Sequence, residues 1–314
     1  HHSSCCGPNT CSAIVSRMEP VLFDFAKPDF PLAPRTWYRV GGPARLALEP
    51  ENIAEAAAAY AWMCAQHAPQ LILGGGSNVL ISDVGFPGNV LLTSRLNTIQ
   101  PLGGDRFRVD AGVVLATLVR EVMLANNYEG VGGLTGIPGT AGGAMFMNAG
   151  TVNGSTCQWL ESVELAGPDG PRRIEIEPGD YAYRHQDFCP PGSLILGGVI
   201  RFARSQDDQR AVYEHYMQRR REKQPQGYCC GSVFKNPEGD HAGRLIEACG
   251  LKGKQRGGAV VSPMHANFIM NEDHASFDDI LGLINEVKAT VHARFGVTLE
   301  EEVRIIAPGR EALV

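Results

Sequence analysis

Two glycine-dense turns are the first places in this 314-residue chain where residue type and spacing could do chemistry. Residues 71–80, LILGGGSNVL, set Gly74, Gly75 and Gly76 directly after a short apolar run. Three successive residues without side chains leave backbone N–H groups open to a pyrophosphate. The run is neither GxGxxG opening a long helix nor GxxxxGK[ST], which argues against a dinucleotide Rossmann unit and a nucleotide-hydrolysing loop. By itself it would serve a structural turn equally well. Residues 133–150, GLTGIPGTAGGAMFMNAG, intersperse six glycines, Pro138 and Asn148 with mostly small side chains. Such a backbone is conformationally costly, roughly 0.5–1 kcal/mol per glycine relative to alanine in regular structure. A flat ligand lying against it would account for that cost. An isoalloxazine ring fits, because it needs close backbone approach on one face and N–H donors aimed at its ring heteroatoms. The two turns together are far more specific than either alone.

Other chemistry-bearing side chains point away from metals. Nine cysteines (Cys5, Cys6, Cys11, Cys64, Cys157, Cys189, Cys229, Cys230 and Cys249) are odd in number and never fall at CxxC spacing, so neither a zinc site nor a disulfide framework is expected. The expected compartment is the reducing cytoplasm. His265 in MHANF reads as a satisfied structural histidine, with no second His or Cys at metal spacing, and His185 as a solvated side chain. On residue type alone, Ser232 is a turn or cap residue, Glu302 a solvated strand end and Arg219-Arg220-Arg221 a wet helix face.

The elements that must position these turns follow from periodicity. A strand through Leu46 and Leu48, a helix from Ile53 to His67 and a strand Gln70–Leu73 make a small α/β unit. A second unit starts with a strand from Phe107 to Ala111. Its helix, Leu115 to about Asn126, carries the stripe Leu115, Leu118, Val119 and Val122. A hairpin joins Ser162–Leu165 to Arg172–Ile176 through Pro168-Asp169-Gly170, and a strand near 193–202 closes the unit. The polar run Ser205-Gln206-Asp207-Asp208 marks a boundary and can cap a helix reaching Lys223. A helix from Phe277 to Phe295 follows, with Ser276 and Asp279 at capping-box spacing and Gly296 as its stop. Its expected apolar face is Ile280, Leu281, Ile284, Val287, Val291 and Phe295. The net charge of −6, from 28 basic and 34 acidic residues, is interleaved, which disfavours nucleic acid and anionic membranes as partners. No apolar stretch approaches the roughly 20 residues of a membrane span, and no secretory signal is visible.

Beyond these readings, six ordered motifs carry a resemblance: TWYRVGGPA (36–44), LILGGGSNVLISD (71–83), GIPGTAGGAMFMNAG (136–150), GSVFKNPEGDHAGRLIEACGLKG (231–253), GGAVVSPMHANFIMN (257–271) and LEEEVRII (299–306). Together they resemble the UDP-N-acetylenolpyruvoylglucosamine reductase (MurB) family, in its type II branch. The resemblance implies an α+β fold, with a two-part FAD-binding region of the vanillyl-alcohol-oxidase (PCMH) type and a C-terminal α/β substrate-binding domain. The implied boundaries are a disordered leader at 1–17, with a native start at Met18, then 18–92 joined by a strand at about 302–309, 93–204, and 205–301. Implied FAD contacts are Leu73, Gly74, Gly75, Gly76, Ser77, Asn78, Gly136, Ile137, Pro138, Gly139, Gly142, Gly143, Asn148 and Ala149.

The same resemblance implies that NADPH supplies a hydride which reaches, by way of FAD, the terminal alkene carbon of an enolpyruvyl nucleotide sugar. Ser232 would donate the proton, Glu302 would polarise the substrate carboxylate, and Arg184 would offset enolate charge. Tyr183, Arg220, Lys223 and Asn236 are the implied substrate contacts; Arg220 and Lys223 would grip the diphosphate. No metal is implied, and a monomer is expected. Two positions depart from the family pattern: Val152, where a tyrosine is common, and Gln186, where a serine is common. Rival readings are another flavin oxidoreductase of the same cofactor fold, and a flavin- or nucleotide-binding protein that has lost catalysis.

Overall fold

The computed structural model describes residues 23–310; the expected leader at 1–17 and the start at Met18 lie outside them. The first sheet has four strands in the spatial order Ala26–Pro31, Pro43–Leu48, Phe86–Leu92, Gln70–Leu73. Its first pair is antiparallel and the other two are parallel, with Leu46 opposite Asn89 and Leu71 opposite Val90. Buried strands of a parallel pair need cover on both faces. The helix Ile53–Cys64 covers one of them, burying Ala56, Ala59, Tyr60 and Met63 against Leu46, Leu48 and Leu91. Asn52 caps this helix by accepting a hydrogen bond from the Glu55 amide at 2.9 Å. It ends three residues before the expected His67, with Ala65 as its C-cap and Pro69 just beyond barring a helical conformation at the residue before it.

The second sheet is antiparallel throughout, in the order Arg172–Glu175, Leu160–Ala166, Leu194–Arg201, Arg106–Asp110, Ile99–Gly103. The stripe Leu115, Leu118, Val119 and Val122 packs on it as the periodicity requires. The element is not one α-helix to Asn126, however. An α-turn at Leu115–Leu118 gives way to π-helical winding at Val119–Leu124, whose wider turn keeps Val119, Val122 and Met123 all inside. A helix that periodicity did not single out, Ala141–Met147, lies within the second glycine stretch, capped by Thr140.

The third unit contains the helices Gln209–Lys223 and Ala242–Ala248, a small sheet of Gln255–Arg256, Ala259–Val261 and Ile269–Asn271, and the long helix Phe277–Phe295. That helix has the expected capping box: Ser276 Oγ accepts from the Asp279 amide at 3.0 Å, and Asp279 Oδ2 accepts from the Ser276 amide at 3.0 Å. Its buried face is Phe277, Ile280, Leu283, Ile284, Val287 and Val291; Leu283 takes the place expected of Leu281, which packs at the edge, and Phe295 is 36% exposed. Three long-range contacts tie the unit back. Asp83 accepts from the Phe277 amide at 2.8 Å, Asn271 Nδ2 donates to the Tyr38 carbonyl at 2.7 Å, and Arg304–Ile306 pairs in parallel with Val79–Ile81. Among the described residues no helix is long and apolar enough to cross a membrane.

Candidate active site

The fold brings the two glycine turns face to face. A Cβ on Gly75 would lie 3.3 Å from Gly139 Cα, one on Gly74 would lie 2.9 Å from Thr140 Oγ1, and one on Gly139 would lie 2.8 Å from Ser77 Oγ. Side chains at these positions would fill the space between the turns, and their absence leaves backbone and two hydroxyls facing one another. Gly139 has φ +106°, which an L side chain rarely adopts. These features suit a dinucleotide whose pyrophosphate needs close backbone approach. Other candidate cofactor residues hold the backbone instead. Gly76 permits contact with Arg35, whose carbonyl would meet its Cβ at 1.9 Å, and Gly142 packs on Ala111 while donating its N–H to the Ala111 carbonyl at 2.7 Å. Gly143, exposed on the same helix, has only Thr140 Oγ1 near its Cβ, at 3.7 Å.

The remaining members of the set are divided in the same way. Leu73 is buried in the first core, Ile137 packs on the second, and Pro138 lies half-buried in the turn beside Gly139. Gly136 adopts φ +74° against the Arg220 side chain. Asn148 is buried, with Nδ2 donating to the Ala182 carbonyl at 2.8 Å and Oδ1 accepting from Cys157 at 3.0 Å, so both ends of its amide are engaged. Ala149 is buried and donates its N–H to the Ala144 carbonyl. Asn78 Nδ2 donates to the Glu302 carbonyl at 3.0 Å, linking the first glycine turn to the end of the chain.

Glu302 and Arg184 meet at that end. Arg184 Nε donates to Glu302 Oε1 at 3.2 Å, with side-chain exposures of 19% and 14%. The Arg184 Nη atoms donate to the carbonyls of Asn148 and Gly150, at 3.5 and 3.0 Å. Arg184 itself adopts φ +51°, an uncommon conformation held by these contacts. Burial pushes the Glu302 carboxyl up from its ordinary value, opposed by Arg184 and, more weakly, by Lys235. Ser232 is placed by backbone pairing: the Glu302 amide donates to the Val233 carbonyl at 2.7 Å, and Phe234 bridges Glu301. Gly231, with φ +67°, turns the chain into the half-buried Ser232.

The implied substrate residues are spread more widely. Tyr183 is 59% exposed, and the Arg184 guanidinium lies 5.2 Å from its ring centre. Arg220 packs against Gly136 rather than projecting into solvent, and its Nη1 donates to Gln224 at 3.0 Å. Lys223 is exposed at the last turn of its helix. Asn236 is exposed, and its Oδ1 accepts from the Ala242 amide at 3.1 Å, supporting the start of the helix Ala242–Ala248. Of the two departures, Val152 is fully exposed, while Gln186 accepts from the Cys189 amide at 2.7 Å and so supports its own loop. His265 accepts from the Asn267 amide at 3.2 Å and packs on Phe268, and its burial holds its pKa below the ordinary value. Thr140 and Arg304 border the site without having been singled out, although TAGG is a capping pattern and Arg304 lies two residues beyond Glu302.

Comparison with known proteins gives this geometry its class. An FAD binding domain matches residues 44–173, so the opposed turns belong to a flavoprotein. The C-terminal domain of UDP-N-acetylenolpyruvoylglucosamine reductase matches residues 223–306. The enzyme of that name from Synechococcus sp. (strain JA-3-3Ab) is 38% identical over 313 residues, covering 98% of each chain. That from Desulfosudis oleivorans is 40% identical over 302 residues, covering 91% of this chain and 96% of its own. The crystal structure of UDP-N-acetylenolpyruvylglucosamine reductase (MurB) from Thermus caldophilus matches with TM-score 0.74 and 33% identity, over 88% of this chain and 97% of that one. The chain therefore belongs to the UDP-N-acetylenolpyruvoylglucosamine reductase family.

Proposed function

We propose that this chain is a UDP-N-acetylmuramate dehydrogenase, reducing the enolpyruvyl ether of UDP-N-acetylglucosamine with NADPH during peptidoglycan precursor synthesis. The observation that carries the reading is the half-buried Arg184–Glu302 pair beside the opposed glycine turns, with Ser232 directly before Val233, whose carbonyl accepts from the Glu302 amide. FAD, when bound, supplies the hydride relay between NADPH and the alkene. Gly74, Gly75 and Ser77 would hold it from one side and Gly136, Ile137, Pro138, Gly139 and Gly143 from the other, on a backbone fixed by Leu73, Gly76, Asn78, Gly142, Asn148 and Ala149.

The chain's own residues then answer a charge problem. Addition of hydride to the terminal alkene carbon leaves negative charge on the carbon next to the carboxylate. Arg184, fixed by two backbone carbonyls, offsets that charge without having to reorganise. Glu302, whose burial favours its protonated form, can share a proton with the substrate carboxylate and draw charge into it. Ser232 donates the proton to carbon, a task that requires a dry site and charge still developing, since a hydroxyl is otherwise a weak acid. Tyr183 would lie near the sugar or the ring, with Arg220, Lys223 and Asn236 at the uridine diphosphate, where fixed cations suit a dianionic group.

The division at 18–92, 93–204 and 205–301, with the last strand returning to the first unit, is supported by the separate four-, five- and three-stranded sheets and by the pairing of Arg304–Ile306 with Val79–Ile81. A cytoplasmic location is supported by the six free thiols among the described residues and by the nucleotide substrates.

The test is product analysis. FAD-loaded protein given NADPH and the enolpyruvyl nucleotide should yield a nucleotide sugar heavier by two hydrogens, one NADPH consumed per product. NADPH oxidation that proceeds only with O2, the nucleotide's mass unchanged, would rule the reading out and favour an oxidase-type flavoprotein.

A further inference from the structure

Three consecutive carboxylates, Glu300, Glu301 and Glu302, are each met by a cation from a different segment. Glu300 accepts from Lys235 Nζ at 2.9 Å, Glu301 from Lys288 Nζ at 2.9 Å and Glu302 from Arg184 Nε at 3.2 Å. The proposed function uses only the last. Of the other two, the Glu300 side chain is 72% exposed, so its pair with Lys235 contributes little. The Glu301 side chain is 20% exposed, and its pair with Lys288 is screened less by solvent. The carboxylates lie on a bend between the long helix Phe277–Phe295 and the last strand. Its backbone is pinned to the run that follows Ser232: the Lys235 amide donates to the Glu300 carbonyl at 2.9 Å and the Glu302 amide to the Val233 carbonyl at 2.7 Å. Buried Asn267 holds that run from its other edge, accepting from the Phe234 amide at 3.1 Å and donating to the Phe234 carbonyl at 3.0 Å. Glu301 adds a side-chain tie to the long helix, which Lys288 makes across 13 positions of chain. Val287 and Val291 beside Lys288 are buried in the third core, so the lysine is anchored on a fixed backbone.

We propose that Lys288 is a positioning residue for reduction of the enolpyruvyl group: its ion pair with Glu301 locks the bend and so fixes the neighbouring Glu302 carboxyl where the substrate meets it. This rests on the role given to Glu302 above and extends it. Lys288 touches neither substrate nor cofactor in this account and acts through Glu302 alone. A misplacement of about 1 Å at a reacting group costs on the order of a hundredfold in rate, even when the change that causes it is remote. Reduction of the flavin by NADPH does not call on Glu302, so it does not sense the bend.

The test uses FAD-loaded Lys288→Met, Lys288→Arg, Glu301→Gln and the reversed pair Lys288→Glu with Glu301→Lys. Lys254→Met, which removes an ion pair to Glu286 on the same helix at 3.3 Å, is the control for loss of surface charge. Both half-reactions are followed anaerobically by stopped-flow absorbance. Lys288→Met and Glu301→Gln are expected to slow reoxidation by the enolpyruvyl nucleotide about tenfold to a hundredfold, with its KM and the reduction by NADPH near wild type. Lys288→Arg and the reversed pair should recover most of that rate. Added to Glu302→Gln, Lys288→Met should bring no further slowing, because the two changes act through one carboxyl. Additive slowing, equal loss in both half-reactions, failure of the reversed pair to recover, or equal slowing by Lys254→Met would each overturn the proposal. So would a lowered melting temperature with reoxidation unchanged, which would leave the pair a purely structural tie. If Lys288→Met fails to fold, Glu301→Gln decides by the same criteria. Wild-type protein whose reduced flavin the nucleotide does not reoxidise would instead defeat the functional reading itself.

Discussion

At the scale of single residues, Ser232 has the most demanding task assigned here, because an alcohol gives up its proton only to a strong base in a shielded site. Ser232→Ala should leave reduction of the flavin by NADPH nearly normal and slow reoxidation by the enolpyruvyl nucleotide roughly a hundredfold to ten-thousandfold. Equal loss in both half-reactions, measured by stopped-flow absorbance, would remove Ser232 from the proton step. Glu302 offers a second probe through pH. Its proton is held more tightly in the folded protein than in the unfolded chain. Stability is therefore unaffected by Glu302 in acid and falls as pH rises through the ordinary carboxylate range to the raised value, above which the penalty is constant. Glu302→Gln keeps an acceptor for Arg184 but removes that penalty. Its melting temperature should exceed wild type at neutral pH, with the difference vanishing toward pH about 4. A difference independent of pH would contradict the raised proton affinity.

None of the three residues proposed for the chemistry was legible from residue type alone, since a loop serine, a strand-end glutamate and an arginine beside a histidine have ordinary structural uses. Resemblance singled them out. The Arg184–Glu302 contact joins positions 118 residues apart, a separation that periodicity cannot bridge.

At the scale of elements, the glycine turns separate two uses of the same residue type. Gly76→Ala would drive a Cβ to 1.9 Å from the Arg35 carbonyl at φ +67°, so it should destabilise the protein with or without FAD. Gly143 lies in a helix and has space, with its nearest contact at 3.7 Å. Gly143→Ala should leave the cofactor-free protein as stable or stabilise it by up to about 1 kcal/mol, yet weaken FAD binding in a fluorescence titration. Unchanged FAD affinity would take that position out of the cofactor's contact surface. Ser276→Ala should cost about 1 kcal/mol in denaturant unfolding through loss of the cap; no loss would mean that tertiary packing alone holds the helix start. That helix was readable because an apolar stripe, a capping box and a terminal glycine agree. The helix Ala141–Met147 was not, because AGGAMFM offers two poor helix formers, and its short apolar face becomes visible only when Ala144 and Met145 are seen against the second sheet. Periodicity likewise could not distinguish α from π winding at Val119–Leu124, since both bury the same stripe.

At the scale of the whole molecule, the site depends on long-range closure. The strand Arg304–Ile306 crosses back to Val79–Ile81 and so delivers Glu302 to Asn78, while Asp83 and Tyr38 anchor the third unit beside it. Periodicity marked successive units but not this return, which only the resemblance implied, because it joins residues more than 200 positions apart. The proposed function assigns two successive half-reactions to one chain, with the Ser232 hydroxyl and the half-buried Arg184–Glu302 pair serving only the second. Anaerobic stopped-flow spectroscopy tests it most directly. NADPH should bleach the flavin absorbance of the FAD-loaded protein, and the enolpyruvyl nucleotide added next should restore it in the absence of O2. Bleaching that only O2 reverses would contradict the account.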